Sequence, residues 1–271
     1  MFEFLLVIGT LFLAFACRTF NLPLIRKCSV PAIIVATFLA GYFLGNNNII
    51  WGCTAISGWF FLPWLDLLTR IRTLRLPLDK KMRHRYPPAD TSRLLKQFTS
   101  DVEDAGFEHA QDSGWEWDGV EQFTRFFYDP ELKAQATINL NQQSHVAFAY
   151  MSVSSRTSDG KTWTTWNYPF SYSMKITPDI EIKRAPASQS FAEILNSHHA
   201  FLAHRGIAKD HLQEDRPDDL RNIAEREMRN QIDHNLDRGL IRLSGNGTFR
   251  YSWRGLFFLW LQSIKDMLRL F

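Results

Sequence analysis

Charged side chains are distributed very unevenly along this chain, and that imbalance constrains its fold more than any other feature. Of its 31 Lys and Arg and 28 Asp and Glu residues, only Glu3, Arg18, Arg26, Lys27 and Asp66 lie within residues 1–68. The rest of the chain has the charge density of a water-soluble protein. We therefore predict an apolar membrane anchor followed by a globular domain.

Three apolar segments divide the first 68 residues. They are Phe2–Cys17, Cys28–Gly45 and Ile49–Leu68, of 16, 18 and 20 residues. As helices they would span about 24, 27 and 30 Å, and the hydrocarbon core of a bilayer is about 30 Å thick. The pattern predicts three transmembrane helices, or two if the marginal first segment lies on the membrane surface.

The polar stretch Gly45–Asn48 separates the second and third segments. Glycine and asparagine tolerate left-handed backbone, and asparagine side chains satisfy turn amides, so we expect a tight helical hairpin here. Gly41 and Gly45 form a GxxxG pattern, which is typical of a helix-packing face.

Basic residues flank the apolar segments asymmetrically. Arg18, Arg26 and Lys27 follow the first segment, and the asparagine turn has no charge. A basic run follows the third segment: Arg70, Arg72, Arg75, Lys80, Lys81, Arg83 and Arg85. Because basic residues favour the cytoplasmic side, this distribution predicts a bacterial-type inner-membrane protein with its N-terminus outside and its globular domain in the cytoplasm.

The predicted domain plan has four parts. Residues 1–68 form the transmembrane anchor, 69–88 a basic juxtamembrane linker, 89–253 a soluble α+β domain, and 254–271 an amphipathic C-terminal helix. The fold class is thus α+β, with an antiparallel sheet packed with helices behind the anchor.

Hydrophobic periodicity and turn residues predict the elements of the α+β domain. A helix is expected over Ala89–Gly106, and helices also follow Ser190 and Pro217. Asp159-Gly160 lies between two alternating runs and predicts a β-hairpin. The expected strands are Phe123–Tyr128, Ala134–Leu140, Val146–Ser154, Thr162–Asn167, Tyr172–Ile176 and Ile180–Lys183, with a last hairpin in Leu240–Trp253.

The C-terminal stretch from Gly255 alternates at helical spacing between apolar residues and Gln262, Lys265, Asp266 and Arg269. Two interpretations fit this pattern equally. The helix either lies in a membrane interface or packs on the sheet of its own domain.

Sequence motifs for catalysis and metal binding are absent. Cys17, Cys28 and Cys53 all lie in or beside the apolar segments, so the domain has no cysteine-based zinc site or cysteine nucleophile. His198, His199, His204 and His211 do not share one helical face at ligand spacing. We expect no cofactor and no metal, and assign no catalytic residue. The net charge of +3 is too small to indicate nucleic acid.

Two groups of residues are candidate binding sites. Trp163 and Trp166 point to opposite faces of their strand, so one is expected in the core and the other in a partner contact beside Arg156 and Lys161. The basic run and Trp260 are candidate lipid contacts.

From these features the first functional hypothesis is a membrane-anchored binding or scaffold protein with a protein partner and membrane lipids. It would be an accessory subunit of a larger complex. The alternatives are a membrane-tethered enzyme with an unmarked site and a sensor of a small ligand. A deep pocket with converging polar groups would favour the last two.

Overall fold

The computed structural model describes residues 2–20, 25, 28–87, 92–143 and 146–270. Within them the fold is α+β with a mixed sheet and seven α-helices. The helices are α1 (Phe2–Thr19), α2 (Ser29–Leu44), α3 (Ile49–Asp66), α4 (Ser92–Glu103), α5 (Phe191–His204), α6 (Leu220–Asp237) and α7 (Trp253–Leu270). The strands are β1 (Leu76–Pro77), β2 (Glu108–Trp117), β3 (Val120–Asp129), β4 (Ala134–Gln143), β5 (Val146–Arg156), β6 (Thr162–Trp166), β7 (Ile180–Arg184), β8 (Ile241–Leu243) and β9 (Thr248–Tyr251).

Helices α2 and α3 form the hairpin predicted from the asparagine turn. Asn46 and Asn47 have positive φ angles of 56° and 60°, which asparagine tolerates better than most residues. Asn48 caps α3, since its Oδ1 accepts a hydrogen bond from the Ile50 amide at 2.9 Å. A Cβ on Gly41 would lie 2.6 Å from Ala55 Cβ, so this glycine lets the two helices approach each other within one chain.

No helix among the described residues is both long enough and apolar enough to cross a membrane. Helices α1 and α3 have 18 residues and α2 has 16; α1 includes Glu3 and Arg18, and α3 contains Pro63 and ends at Asp66. At 1.5 Å per residue they are about 24–27 Å long, compared with a hydrocarbon core of about 30 Å. This finding contradicts the predicted transmembrane anchor, and with it the predicted inner-membrane location and orientation.

The first three helices bury only part of their apolar surface within the chain. Phe12 is 72% exposed, and Phe4, Phe61 and Leu65 are exposed to a similar extent. Ala14 and Ala36 are buried where the helices meet. Contacts inside the described chain therefore account for the inner faces of these helices and not for their outer ones.

The main sheet has six strands in the order β2-β3-β4-β5-β6-β7. Neighbouring strands are antiparallel up to β6, and the β5–β6 hairpin forms around Asp159-Gly160 as predicted. Strand β7 instead runs parallel to β6, with Thr162 opposite Ile180. The prediction of an antiparallel sheet is therefore wrong at this edge, because Tyr172–Ile176 is a loop and not a strand that pairs with β7.

One face of this sheet carries the hydrophobic core. Helices α4 and α5 pack on it through Leu95, Val102, Phe191 and Ile194. The sheet contributes alternate residues from its central strands, all almost fully buried: Phe123, Phe127, Ala136, Ile138, Met151 and Val153. This is the expected period of two for a sheet that buries one face under helices.

A second, three-stranded sheet, β1-β9-β8, ties the N-terminal helices to the rest of the chain. Its residues Ile241, Phe249 and Tyr251 form one cluster with Leu67 from the end of the N-terminal helices and with Leu256 of α7. Of the segment predicted as a linker, 69–88, the structure describes residues 69–87, and part of this stretch packs against the domain. Its Met82 is buried, and the Met82 amide donates to Glu225 Oε1 at 2.7 Å.

Candidate functional site

The other face of the main sheet is polar at its centre, although it too is covered. Toward one end of β3 it becomes apolar, where Phe126 and Tyr128 pack with Met82 and Leu220. Between this face, α6 and the connection of residues 167–179 lies a cleft of about 390 Å³, which we call the sheet cleft. Its floor is formed by hydroxyl and carboxamide side chains on four adjacent strands: Thr124, Gln135, Thr137, Asn139, Ser152, Ser154 and Thr164. A sheet face that meets a helix is normally apolar, so this composition needs an explanation.

Hydrogen bonds connect the polar side chains of the floor across the strands. Asn139 Oδ1 accepts from Thr124 Oγ1 at 2.8 Å, and Asn139 Nδ2 donates to Thr137 Oγ1 at 2.7 Å. The Thr137 and Ser152 hydroxyls are 2.7 Å apart, and those of Ser154 and Thr164 are 2.8 Å apart. The floor is therefore a preorganised layer of groups that both donate and accept.

Two polar atoms of residues that line the cleft are buried without a hydrogen-bond partner among the described residues. They are Gln135 Oε1, an acceptor, and Trp166 Nε1, a donor. Leaving such a group unsatisfied costs about 1–3 kcal/mol. Unsatisfied groups are rare in native proteins, and these two atoms can bond with a ligand or with solvent in the cleft.

Aromatic rings form one wall of the sheet cleft. The Tyr150 and Tyr168 ring centroids lie 5.0 Å apart, and Trp166 lies 5.5 Å from Tyr168 and 5.9 Å from Tyr172. Burial raises the pKa of the Tyr150 phenol, and it raises that of Tyr168 as well. Both phenols therefore stay protonated near neutral pH and can donate hydrogen bonds.

The roof of the cleft is held in place by buried polar contacts. Asn235 on α6 is fully buried, accepts from the Lys175 amide at 2.9 Å and donates to the Lys175 carbonyl at 2.8 Å. On α7, Asp266 accepts from the Ser171 amide at 2.7 Å. These bonds hold the loop at Ser171 and at Lys175, on either side of Tyr172 and Met174, which lie over the floor.

Lys80 supplies a cation to the lining of the cleft. It is half-buried, and its ammonium lies 4.6 Å from the Trp115 ring centroid. Desolvation by burial lowers its pKa from 10.5 to about 8. Among the described residues no carboxylate forms an ion pair with it, so its charge is available to an anionic group in the cleft.

Arg156 takes part in a buried ion-pair network on the sheet. Its guanidinium contacts Asp215, and its Nη2 donates to Glu227 Oε1 at 2.9 Å. Glu227 also accepts from Thr162 Oγ1 at 3.0 Å. Asp215 and Glu227 are thus both paired with Arg156. The network has a structural role, because it holds Glu227 in the lining of the cleft.

The residues predicted for a partner contact do not share one surface. Trp163 is buried against Phe201 of α5, whereas Trp166 on the opposite face lines the sheet cleft. Arg156 is buried in its ion pairs, and Lys161 is exposed on the hairpin turn. The expectation that the two tryptophans face opposite ways is confirmed; a protein partner stays a prediction.

The basic run predicted to touch lipid is divided among several environments. Arg70 pairs with Asp66, and Arg85 pairs with Glu116 and Glu121. Lys80 lines the cleft, and Lys81 and Arg83 are exposed. Arg72 and Arg75 approach the β8–β9 hairpin, as described below.

Trp260 of α7 packs inside the chain. Its ring stacks on Trp64 at 6.1 Å, and its Nε1 donates to the Phe60 carbonyl at 2.7 Å. Leu256 and Leu259 of the same helix join the cluster around Phe249. The helix therefore packs on α3 and on the small sheet, not on the six-stranded sheet, and its contact with a membrane interface stays a prediction.

The histidines are dispersed. His198 is buried on the helix-covered face, with its ring nitrogens 3.2 Å from Ser155 Oγ and 3.1 Å from Thr165 Oγ1. His199, His204 and His211 are exposed. In the described part of the chain no group of three or more His, Cys, Asp or Glu residues is arranged to hold a metal ion.

Comparison with known protein families, with curated proteins and with solved structures gave no match for this chain.

Proposed function

We propose that this protein binds a small, hydroxyl-rich organic molecule, such as a sugar or a related polyol, in the sheet cleft. A volume of about 390 Å³ is in the range of small-molecule sites, which typically measure about 300–1,000 Å³. The proposal corresponds to the small-ligand sensor among the three hypotheses raised by the sequence.

One observation carries this proposal: a covered sheet face is built from hydroxyl and carboxamide groups where a core would be apolar. Such groups both donate and accept hydrogen bonds, as do the hydroxyls of a polyol. The unsatisfied Gln135 Oε1 and Trp166 Nε1 add an acceptor and a donor. The Tyr150, Tyr168 and Trp166 rings offer apolar faces with polar edges, which suit the C–H face of a sugar ring.

The chemistry of the lining favours binding over catalysis. The hydroxyls and carboxamides of the floor exchange no proton with a ligand near neutral pH, and Glu227 is engaged by Arg156 and Thr162. Lys80, whose pKa is lowered to about 8, serves in this proposal as a cation for an anionic group of the ligand. His198, whose ring would suit a general base, lies on the other face of the sheet. The cleft can orient a ligand and shield it from solvent.

The two tryptophans of β6 provide the test. Intrinsic fluorescence would be titrated with a panel of hexoses, hexosamines and hexose phosphates. We expect at least one probe to change the emission of the native protein and of Trp163→Phe, since Trp163 faces away from the cleft.

In the same titration, Trp166→Phe should lose most of the emission change, because Trp166 lines the cleft. Equal loss in both variants, or no response of the native protein to any probe of the panel, would overturn the proposal.

A further inference from the structure

A second feature of the molecule is a cluster of arginines outside the sheet cleft. In the β8–β9 hairpin, Arg242 lies directly opposite Arg250. Facing side chains in an antiparallel pair have Cβ atoms about 4.5–5.5 Å apart, and like charges in that position destabilise the hairpin.

The neighbouring strand β1 adds a third arginine beside this pair. Leu76 of β1 pairs with Phe249 of β9. Arg75 is the residue before Leu76, and Arg250 is the residue after Phe249. Because these strands are antiparallel, Arg75 comes beside Arg250 on the side opposite Arg242. Three arginines from distant parts of the chain thus lie side by side across the small sheet.

The opposite face of the hairpin explains why these side chains point outward. Ile241, Phe249 and Tyr251 are buried in the apolar cluster with Leu67 and Leu256. Since strand side chains alternate between faces, Arg242 and Arg250 project away from that cluster. Packing therefore fixes both cations on one surface.

Arg72 completes the cluster. Its guanidinium lies 4.8 Å from the ring centroid of Trp253, which is itself exposed. Repulsion from Arg242, together with desolvation and the charges of Arg75 and Arg72, lowers the pKa of Arg250. The charges of Arg242, Arg75 and Arg72 thus all act on Arg250, in agreement with the strand register that brings Arg75 and Arg242 to either side of it.

None of these four arginines forms an ion pair with a carboxylate among the described residues. Other arginines of the chain are paired, such as Arg205 with Glu181 and Arg229 with Asp233. In addition, Arg250 Nε is buried and has no hydrogen-bond partner in the described part of the chain. Arg75 Nη1 donates to the Thr73 carbonyl at 2.8 Å, so the cluster holds charge without a carboxylate partner and, at Arg250, an unused donor.

We infer that Arg72, Arg75, Arg242 and Arg250 form a binding site for a phosphate group. The planar guanidinium donates two parallel hydrogen bonds to phosphate oxygens, and an anion among the four would relieve their repulsion. The phosphate can belong to a soluble molecule or to a phospholipid headgroup, which share this chemistry.

The test compares two double variants. Arg242→Gln/Arg250→Gln removes the facing pair, and Arg205→Gln/Arg229→Gln removes two arginines that already have carboxylate partners. Thermal unfolding is followed in inorganic phosphate and in sodium chloride of equal ionic strength. A second measurement follows sedimentation with vesicles of phosphatidylcholine, with or without phosphatidylglycerol.

If the phosphate is soluble, inorganic phosphate should raise the melting temperature of the native protein and of the control variant above that in chloride. Arg242→Gln/Arg250→Gln should bind inorganic phosphate at least about tenfold more weakly than the native protein. If it belongs to a headgroup, added phosphatidylglycerol should increase sedimentation of the same two proteins and not of Arg242→Gln/Arg250→Gln.

Without phosphate, Arg242→Gln/Arg250→Gln should be at least as stable as the native protein, because the facing charges no longer repel each other. This readout shows that the variant is folded. The inference is overturned if phosphate and phosphatidylglycerol both leave the native protein unchanged, or if the two double variants respond alike.

Discussion

At the scale of single residues, the sheet cleft is built from pairs of hydroxyls that satisfy each other. Ser154 and Thr164 are both buried, and their oxygens are 2.8 Å apart. A buried hydrogen bond of this kind contributes only about 0.5–1.5 kcal/mol net, so two well-packed apolar side chains would serve the fold as well. The hydroxyls are thus better explained by binding than by stability.

This pair gives a prediction that separates the two roles. Ser154→Ala leaves Thr164 Oγ1 without its partner and should lower the free energy of unfolding by about 1–3 kcal/mol. Ser154→Ala/Thr164→Val should return close to the native value while ligand affinity in the cleft falls. Urea denaturation of the two variants measures this difference; a double variant less stable than the single one would contradict it.

His198 gives a prediction about acid stability. Burial lowers its folded-state pKa from 6.5 to about 3, so the unfolded chain binds the extra proton between these values. Stability from this group is complete above about pH 6.5 and is lost as the pH falls toward 3, with a slope of at most about 1.4 kcal/mol per pH unit. Denaturant unfolding at a series of pH values would detect it.

The matched variants for this effect are on one helix. His198→Gln should flatten the dependence between pH 6.5 and 3, because glutamine does not titrate. His204→Gln, at an exposed position of α5, should keep the native slope. Identical slopes in the two variants would show that His198 does not dominate acid unfolding.

At the scale of elements, the glycines of α2 and α3 set how closely these helices pack. A Cβ on Gly41 would lie 2.6 Å from both Ala55 Cβ and the Trp51 carbonyl oxygen, whereas a Cβ on Gly58 would meet nothing within 4 Å. The glycine pattern predicted a packing face, and the structure uses Gly41 inside the hairpin.

Two alanine substitutions should therefore have opposite effects. Gly41→Ala should destabilise the protein by about 1–3 kcal/mol through overpacking against backbone. Gly58→Ala in α3 should be neutral or stabilising by up to about 1 kcal/mol, because alanine has the higher helix propensity. Thermal unfolding of both variants tests this; destabilisation by Gly58→Ala and tolerance of Gly41→Ala would argue against the packing.

The sequence predicted the elements that depend on neighbouring residues. It did not predict how strands pair when they are far apart in the chain. Asp159-Gly160 specifies its hairpin through backbone preferences of adjacent residues. Strand β7 contacts β6 only after a connection of residues 167–179, and nothing near Ile180 distinguishes the parallel from the antiparallel partner. Likewise, each apolar segment predicted a helix, while the predicted membrane crossing is contradicted, since no helix of the described residues is long and apolar enough to span a membrane.

At the scale of the whole molecule, the sheet cleft exists because distant parts of the chain close over one sheet face. Polar residues at every second position, such as Thr137 and Asn139, ordinarily indicate a solvent-facing side. Only the placement of α6 and of the loop held by Asn235 shows that this side is covered. The arginine cluster is equally non-local, since Arg75 and Arg250 are brought together by the pairing of β1 with β9.

Methionine methyl groups can report whether the polar face of the sheet holds a ligand. Met82, Met174 and Met228 line the sheet cleft, whereas Met151 is fully buried on the opposite face of the sheet. NMR spectra of the methyl-labelled protein would be recorded with and without the probe that changes the Trp166 emission. We expect shifts for the three cleft methionines and an unchanged Met151 signal; a shift confined to Met151, or no shift at all, would rule out a ligand in the cleft.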